Sequence, residues 1–305
     1  MKKDAELLNE IARKTNILRH LTEEETKKLK TILLEMHNEI IQTCDRYNLT
    51  IMLGGGSCLG AVRHKGFIPW DDDLDFIMPR KDYEILIKKY EEGHIDKRLH
   101  FEYPNKEKDV KNAFLKVFLN DTVFKDIFDD KDAFPSSIFI DIFPIDFAPK
   151  CLILRKIKGF LSDMMQFICT CTLYCQYPSK NLKMFYSQDK DAERRYQLRM
   201  IIGRLFSVFP HRKWIYWFDS LQKRSKSSPI MTIPCGRNHY LGEALPASVF
   251  LPVVESEFEK EKTYIPNQYH KYLFNLYGNY MQIPSEENRE RHFIIDIKFT
   301  PRYEK

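Results

Sequence analysis

Four aspartates stand within five positions of the stretch WDDDLDF, and two of them are spaced for joint chemistry. Asp73 and Asp75 are separated by one residue, so in an extended strand both carboxylates project from the same face. Two carboxylates held a few ångströms apart repel each other unless a cation binds between them or one takes up a proton. Mg²⁺ (or Mn²⁺) prefers oxygen ligands of this kind, usually one or two carboxylates together with phosphate oxygens. The pair therefore predicts a divalent-metal site.

A glycine turn just upstream predicts a phosphate-binding site. The chain reads GGGS at 54–57, after the short apolar run 51–53 and at the start of SCLGAVR, which can form a short helix. Glycine lets the backbone approach a phosphate closely, and a helix N-terminus favours negative charge. A phosphate cradle beside a metal pair indicates phosphoryl or nucleotidyl transfer.

Asp141 is the third candidate carboxylate, because it interrupts the alternating apolar stretch SIFIDIF at 137–143. A charge at such a position costs free energy unless it is paired, protonated or close to a metal. Asp141 could complete the metal site from a neighbouring strand or accept the proton of an attacking hydroxyl. Asp146, shortly after Pro144, is equally compatible with a turn or a helix cap.

The elements that must position these residues alternate between helix and strand over 20–147. Thr22 and Glu25 form a capping box, and the apolar periodicity behind it predicts a helix over 23–47. A second amphipathic helix is expected from Pro79 to about residue 90. The predicted strands cover 51–53, 74–78, 113–119 and 137–143, the last ending at Pro144. This order indicates an α/β or α+β core with a mixed sheet.

Residues 151–230 differ from this core, because their pattern is helical and broken by charges. Four charged residues between 155 and 163 make the apolar stretch there unlike a transmembrane span. We interpret the region as a helical insertion that packs on the core. A second interpretation is a membrane-surface or acceptor-facing layer, because the aromatic stretch 214–218 adjoins Arg212 and Lys213.

The resulting domain expectation has three parts. Residues 1–150 contain N-terminal helices and the catalytic core, 151–230 form the helical subdomain, and 231–305 complete the catalytic domain. The 305-residue chain is long enough for such an arrangement, with 43% hydrophobic residues and a net charge of +5.

Composition also narrows the partners and the compartment. No RNP-like signature, zinc-finger spacing or basic arm is present, so a nucleic-acid partner is not expected. The seven cysteines contain no C-x-x-C pair, which indicates reduced thiols. The first residues lack an apolar signal region, so the expected location is the cytoplasm.

Three ordered blocks resemble the signature of the LicD family, which includes bacterial phosphocholine transferases and is related to animal fukutin-related ribitol-phosphate transferases. They are GGGSCLGAVRHKGFIPWDDDLDFIMPRKDYE, FIDIFPID and YLFNLYGNYMQIPSEENRERH. The resemblance implies an α+β fold whose nucleotidyltransferase-like core has a small mixed sheet and flanking helices. The positions that match the family's site are Gly55, Gly56 and Ser57 for phosphate, Asp73 and Asp75 for the metal pair, Asp141 as third carboxylate, and Asp71 as a further acidic position.

The resemblance implies transfer of a phosphorylated small alcohol, typically phosphocholine from CDP-choline, with release of CMP. The acceptor would be a sugar hydroxyl of a cell-surface glycan such as lipopolysaccharide or teichoic acid. A lipid-linked acceptor would bring the protein into peripheral contact with the cytoplasmic face of the membrane. The headgroup could instead be ethanolamine, glycerol or ribitol. Nucleotidyl transfer from an NTP and a non-catalytic nucleotide-binding protein are the alternatives of other classes.

Several basic residues are candidates for binding the donor's diphosphate or, near the C-terminus, for reaching the active site or the acceptor. Each also has a structural interpretation: a solvated loop for 63–65, an amine that reaches the surface for the lysine in AFLKVFL, and an exposed position for the C-terminal residues. The candidates are Arg63, His64, Lys65, Lys116 and His292, with Arg289 and Arg291 beside the last of these.

Overall fold

A mixed sheet flanked by helices forms the centre of the molecule, as a computed structural model shows for residues 4–15, 17–128, 133–225, 227–286, 289 and 292–300. The helices are α1 (Asp4–Lys14), α2 (Glu23–Arg46), α3 (Gly55–His64), α4 (Arg80–Glu91), α5 (Leu152–Gln176), α6 (Lys180–Tyr186), α7 (Lys190–Phe206), α8 (His211–Lys223), α9 (His239–Gly242), α10 (Ala247–Phe250) and α11 (Tyr269–Tyr277). The strands are β1 (Met52–Leu53), β2 (Asp75–Pro79), β3 (Leu99–Glu102), β4 (Leu115–Leu119), β5 (Val123–Asp126), β6 (Phe139–Ala148), β7 (Ile230–Thr232), β8 (Leu245–Pro246), β9 (Val254–Phe258), β10 (Glu261–Ile265) and β11 (Ile294–Lys298).

The central sheet has the order β1-β2-β6-β4-β3, and β7 joins the far end of β6 and pairs in turn with β8. Strands β2 and β6 run parallel, whereas the other neighbours are antiparallel. Two small antiparallel pairs, β9 with β10 and β5 with β11, complete the strands of the described residues. The fold is α+β with a mixed sheet, as predicted.

Helix α2 begins where the capping box predicts. The Thr22 hydroxyl accepts a hydrogen bond from the Glu25 N–H at 3.2 Å, and the Glu25 carboxylate accepts one from the Thr22 N–H at 3.0 Å. The apolar face of the helix packs into the main core, where Ile32 and Ile40 are fully buried. The local signal and the tertiary packing therefore agree at this element.

The sequence predicted that strand β6 ends at Pro144. In the structure, β6 continues past the proline to Ala148. The Asp141 N–H donates to Leu74 on the β2 side, so by alternation the nitrogen of residue 144 faces the opposite side. On that side β4 pairs no further than Ile142 and β7 begins only at Asp146. The missing N–H of proline therefore falls in a gap of the ladder, where it removes no hydrogen bond.

Asp146 is consequently a strand residue and not a turn or cap residue. Its carboxylate accepts two hydrogen bonds from the Arg80 guanidinium, at 2.7 and 2.8 Å. Arg80 also donates to Asp219 at 2.8 Å, and both aspartate side chains are 2% exposed. This buried ion cluster joins α4, β6 and α8.

Helices α5 to α8 occupy the stretch with the helical pattern. Of the aromatic residues near 214, Phe218 is 1% exposed, and Trp214, which is partly buried, donates its indole N–H to the Phe206 carbonyl at 3.0 Å. Trp214 also packs edge-on against Trp217. Among the described residues, no helix is both long enough and apolar enough to cross a bilayer.

Candidate active site

Three charged residues form a row across neighbouring strands of the sheet. Asp75 of β2 is in register with Asp141 of β6, which is in register with Lys116 of β4. Residues in register on adjacent strands project from the same face, so the three side chains meet. The Lys116 ammonium lies 2.8 Å from Asp141 Oδ1 and above the Phe139 ring. Lys116 thus neutralises Asp141 within the sheet.

Gly55 and Gly56 belong to the first turn of α3, whereas the sequence pattern predicted a turn that precedes the helix. Gly54 is the N-cap, and Gly55 has φ of +44°, a left-handed conformation that favours glycine. A Cβ on Gly55 would lie 3.2 Å from Asp75 Oδ2, and one on Gly56 would lie 3.0 Å from Asp71 Oδ2. The helix N-terminus, whose first N–H groups have no partner within the helix, therefore lies directly against the carboxylates.

Ser57 joins this helix end to the aspartate strand. Its hydroxyl oxygen accepts a hydrogen bond from the Asp75 N–H at 2.8 Å, and the side chain is 4% exposed. The Gly54 N–H donates to the Asp75 carbonyl at 2.9 Å, and the Gly55 N–H donates to the Tyr272 hydroxyl at 3.0 Å. These bonds hold the glycines and Asp75 in fixed relative positions.

The carboxylate cluster carries more negative charge than its surroundings compensate. Burial raises the pKa of Asp73 to about 6, with Asp72 and Asp141 adding to the shift and His292 opposing it. The pKa values of Asp71 and Asp75 are also raised well above the usual value. The main cause is burial, and the second is the negative charge of Asp73. A cation bound among these oxygens would relieve that cost.

His292 and Asp72 form a partly buried, hydrogen-bonded pair beside the cluster. The His292 Nδ1 lies 2.8 Å from Asp72 Oδ1, and the backbone N–H of His292 donates to Asp72 Oδ2 at 3.2 Å. Burial would lower the pKa of His292, but Asp72 and then Asp73 raise it to about 10, so the ring is cationic at neutral pH. Alternation along an extended stretch predicts that Asp72 points away from Asp73 and Asp75 and tolerates replacement. That prediction is wrong, because Asp72 is 8% exposed and its carboxylate holds the C-terminal segment through His292.

Two cavities meet at this cluster. One cavity, of about 310 Å³, is bounded by Gly55, Gly56, His292 and the four aspartates at positions 71, 72, 73 and 75. A second of about 370 Å³ lies on the Lys116 and Asp141 side and is also bounded by His292. The structure therefore places the predicted acids, glycines, Lys116 and His292 around two cavities that share His292 as a wall.

The three basic residues after α3 are less closely placed. Arg63 donates to the Tyr280 carbonyl at 2.7 Å, which holds the C-terminal block against the helix. His64 packs edge-on against Trp70, and Lys65 is exposed at the end of α3. None of the three borders the 310 Å³ cavity.

Arg289 and Arg291 are the C-terminal arginines beside His292. The Arg289 guanidinium lies over the Trp70 ring, 4.3 Å from its centroid. Arg291 lies outside the described residues.

Sequence reasoning missed part of the cavity wall. Arg237 borders the 310 Å³ cavity and lies over the Tyr277 ring, 5.2 Å from its centroid. Glu243 and Tyr272 border the same cavity, and burial raises the pKa of Glu243 to about 7. Arg237 and Glu243 lie more than 150 positions after the aspartates in a segment without a recognisable motif, whereas Tyr272 is the first residue of the block YLFNLYGNYMQIPSEENRERH.

The donor set fits a divalent ion that completes its coordination with substrate. Among the described residues, no group of three or more His, Cys, Asp or Glu side chains is arranged to hold a metal ion alone. Mg²⁺ commonly uses only one or two carboxylates and takes its other ligands from phosphate and water. Asp73 and Asp75, with the α3 N-terminus beside them, match that requirement.

Comparison with known proteins agrees with this arrangement. Residues 48–151, which contain the α3 glycines, the aspartates, Lys116 and Asp141, match the family model described as LicD/FKTN/FKRP, nucleotidyltransferase domain. The chain is also similar to lipopolysaccharide cholinephosphotransferase LicD of Haemophilus influenzae, at 27% identity over 266 residues, covering 82% of this chain and 89% of that protein. The predicted resemblance to the LicD family is therefore confirmed, and residues 48–151 are the part of the chain that matches the family model.

Proposed function

We propose that the protein transfers phosphocholine from CDP-choline to a hydroxyl group of a cell-surface glycan and releases CMP. The observation that carries the proposal is the contact between the α3 N-terminus and the carboxylates of Asp71 and Asp75, next to Asp73. Such a site binds a diphosphate and a divalent cation side by side, as transfer from a nucleotide-linked donor requires. The cholinephosphotransferase of Haemophilus influenzae, a relative over most of the chain, supports this donor class.

We assign the metal to Asp73 and Asp75, with Asp71 and Asp141 as further candidates. When bound there, Mg²⁺ or Mn²⁺ would neutralise charge on the donor's phosphates. The N–H groups of Gly56 and Ser57 in the first turn of α3 and the cationic His292 ring would bind the remaining phosphate charge. Arg237, on the wall of the same cavity, is placed to contact the nucleotide half of the donor.

Asp141 is the residue we assign to accept the proton of the acceptor hydroxyl. A sugar hydroxyl is a weak nucleophile until its proton is removed, so a carboxylate within reach accelerates attack. The Lys116 ammonium, 2.8 Å from Asp141 Oδ1, pairs with this carboxylate and fixes its position in the sheet. Asp141 borders the 370 Å³ cavity, which gives an acceptor or headgroup access to it.

The walls of this second cavity favour a quaternary ammonium headgroup over an uncharged alditol. They carry Phe114, Phe118 and Phe124, whose ring faces can attract a quaternary ammonium. The faces of Phe139 and Phe128 in the same wall are covered by Lys116 and Lys111. Choline, which makes no hydrogen bonds through its ammonium, depends on such surfaces.

The proposal is tested by incubating the purified protein with MgCl₂, a lipid-linked glycan and one CDP-linked donor at a time. CDP-choline should release CMP and label the glycan, faster than the ethanolamine, glycerol or ribitol donors. Asp73→Asn should abolish the release, whereas Asp121→Asn, at an exposed turn, should not. Turnover by Asp73→Asn at the wild-type rate would refute the metal assignment, and transfer of the nucleotide itself would point to nucleotidyl transfer.

A further inference from the structure

The first four turns of α5 expose a continuous apolar face. Ile153, Ile157, Phe160 and Met164 are 69%, 52%, 67% and 42% exposed, respectively. Their spacing of four, three and four residues places them along one side of the helix. Large aliphatic and aromatic side chains at such exposure are unfavourable in water when they adjoin one another.

The opposite face of α5 is the one that packs on the protein. Gly159 lies against Leu241, and the Lys158 ammonium donates to the Gln222 carbonyl at 3.0 Å. The Ser162 hydroxyl accepts a hydrogen bond from the Gln222 side chain at 3.0 Å. The orientation of the helix is thus set by these contacts, and its apolar face is directed outward.

Helix α7 extends the apolar surface. Leu198, Ile201 and Leu205 are 55%, 62% and 70% exposed, at positions that share one side of the helix. The Arg199 guanidinium lies over the Phe167 ring of α5 at 6.0 Å, which connects the two helices. We call the exposed apolar side chains of α5 and α7, with the basic residues among them, the basic apolar face.

The charge of this region differs in sign from that of the remaining chain. Residues 150–213 hold thirteen Lys and Arg against four Asp and Glu, a net charge of +9. Because the whole chain carries +5, all other residues together carry −4. A positive, apolar surface on a molecule whose other residues carry net negative charge orients the molecule toward an anionic partner.

We propose that the basic apolar face binds the surface of an anionic lipid bilayer. Interfacial helices combine Leu, Ile and Phe on one side with Lys and Arg around them, which is the composition found here. No described helix is suited to cross the bilayer, so the contact is with its surface. A second copy of the chain is a poor partner, because the two faces would bring like charges together.

Membrane binding at this face would also place the catalytic cavity near the lipid. Gln166 of α5 makes a 3.1 Å hydrogen bond with His239, and Leu241 packs on Gly159. The same segment supplies Arg237 and Glu243 to the wall of the 310 Å³ cavity. A single segment therefore separates α5 from the cavity. The lipid contact itself does not depend on the proposed function.

Vesicle flotation tests the proposal with the full chain. The protein is mixed with one of two kinds of vesicle. The first contains phosphatidylcholine alone, and the second also contains about 30% phosphatidylglycerol, which gives the surface a strong negative potential. Phe160→Glu is compared with Phe274→Glu, because both phenylalanines are 67% exposed but only Phe160 lies on the basic apolar face. Lys156→Glu, at an exposed position of α5, tests the charge contribution separately.

The wild type and Phe274→Glu should float with the anionic vesicles and not with pure phosphatidylcholine, and added salt should weaken binding. Phe160→Glu should lower the partition coefficient at least about tenfold, and Lys156→Glu should lower it less. All variants should melt at the wild-type temperature, because the substituted side chains are exposed. Absence of wild-type flotation, or equal losses for both phenylalanine variants, would overturn the proposal. So would a wild-type dimer by light scattering that Phe160→Glu dissociates.

Discussion

Asparagine in place of Asp73 should inactivate the protein and, without metal, make it more stable. The Asp73 side chain is 23% exposed, and burial raises its pKa from 3.8 to about 6, with Asp72 and Asp141 contributing. A raised carboxylate pKa means that the folded state disfavours the charged form. Ionisation of Asp73 at neutral pH therefore opposes folding, and the uncharged amide avoids that cost.

The size of the effect follows from the shift. One pKa unit corresponds to about 1.4 kcal/mol, so the shift from 3.8 to about 6 costs about 3 kcal/mol at pH 7.5. The attraction to His292 is already included in that shift, so the expected gain is up to about 3 kcal/mol, or an increase in Tm of up to about 5 °C. As the pH falls from 6 toward 4 the wild-type carboxyl is protonated preferentially in the folded state, and the difference between the proteins should shrink by more than half.

The assay is thermal unfolding in EDTA at pH 7.5 and pH 4.5, beside CMP release with Mg²⁺. Asp121→Asn is the matched control, because Asp121 is exposed and its φ of +61° suits asparagine equally well. A lower or unchanged Tm of Asp73→Asn at pH 7.5, or an equal gain at both pH values, would refute the reasoning. Retained turnover would refute the catalytic assignment alone.

Three further predictions concern the same charges. Mg²⁺ should raise the Tm more at pH 7.5 than at pH 5, because protons compete for the carboxylates; equal increases by calorimetry would contradict a carboxylate site. Relative to the wild type, His292→Gln should lose the most stability below pH 6.5. The loss should shrink as the pH rises through about 10, because the wild-type ring then loses its proton and its ion pair with Asp72. A loss of stability that is the same at every pH would contradict this ion pair. Arg80→Met should cost about 3–5 kcal/mol in urea unfolding, because it leaves Asp146 and Asp219 buried without their cation, and a loss below about 1 kcal/mol would refute that.

The fold was predictable where a short segment carries a strong periodic or capping signal. The box at Thr22 and the apolar repeat behind it located α2, and the alternation of helix and strand indicated the mixed sheet. The predicted strand end at Pro144 was wrong. A proline within a strand destabilises it only where a partner strand needs the N–H that proline lacks. Only the end of β4 and the start of β7 show whether one does.

The site was predictable to the same extent. Asp73 and Asp75 could be aimed together from strand periodicity, and Asp141 stood out as a charge in an apolar strand. Asp72 was misjudged, because its partner His292 lies 220 residues away along the chain. Arg237, Glu243 and the exposure of the α5 face had no local signal at all.

The sequence alone thus determined the chemistry available to this protein: a glycine helix start, crowded carboxylates and a helical region rich in basic and apolar residues. These follow from residue type and from spacings shorter than a helix or a strand, which set local geometry. Tertiary structure decided which groups compensate one another, including Lys116 with Asp141, His292 with Asp72, and Arg80 with Asp146 and Asp219. It also decided which apolar side chains stay exposed, because burial depends on long-range packing that no short window of sequence contains.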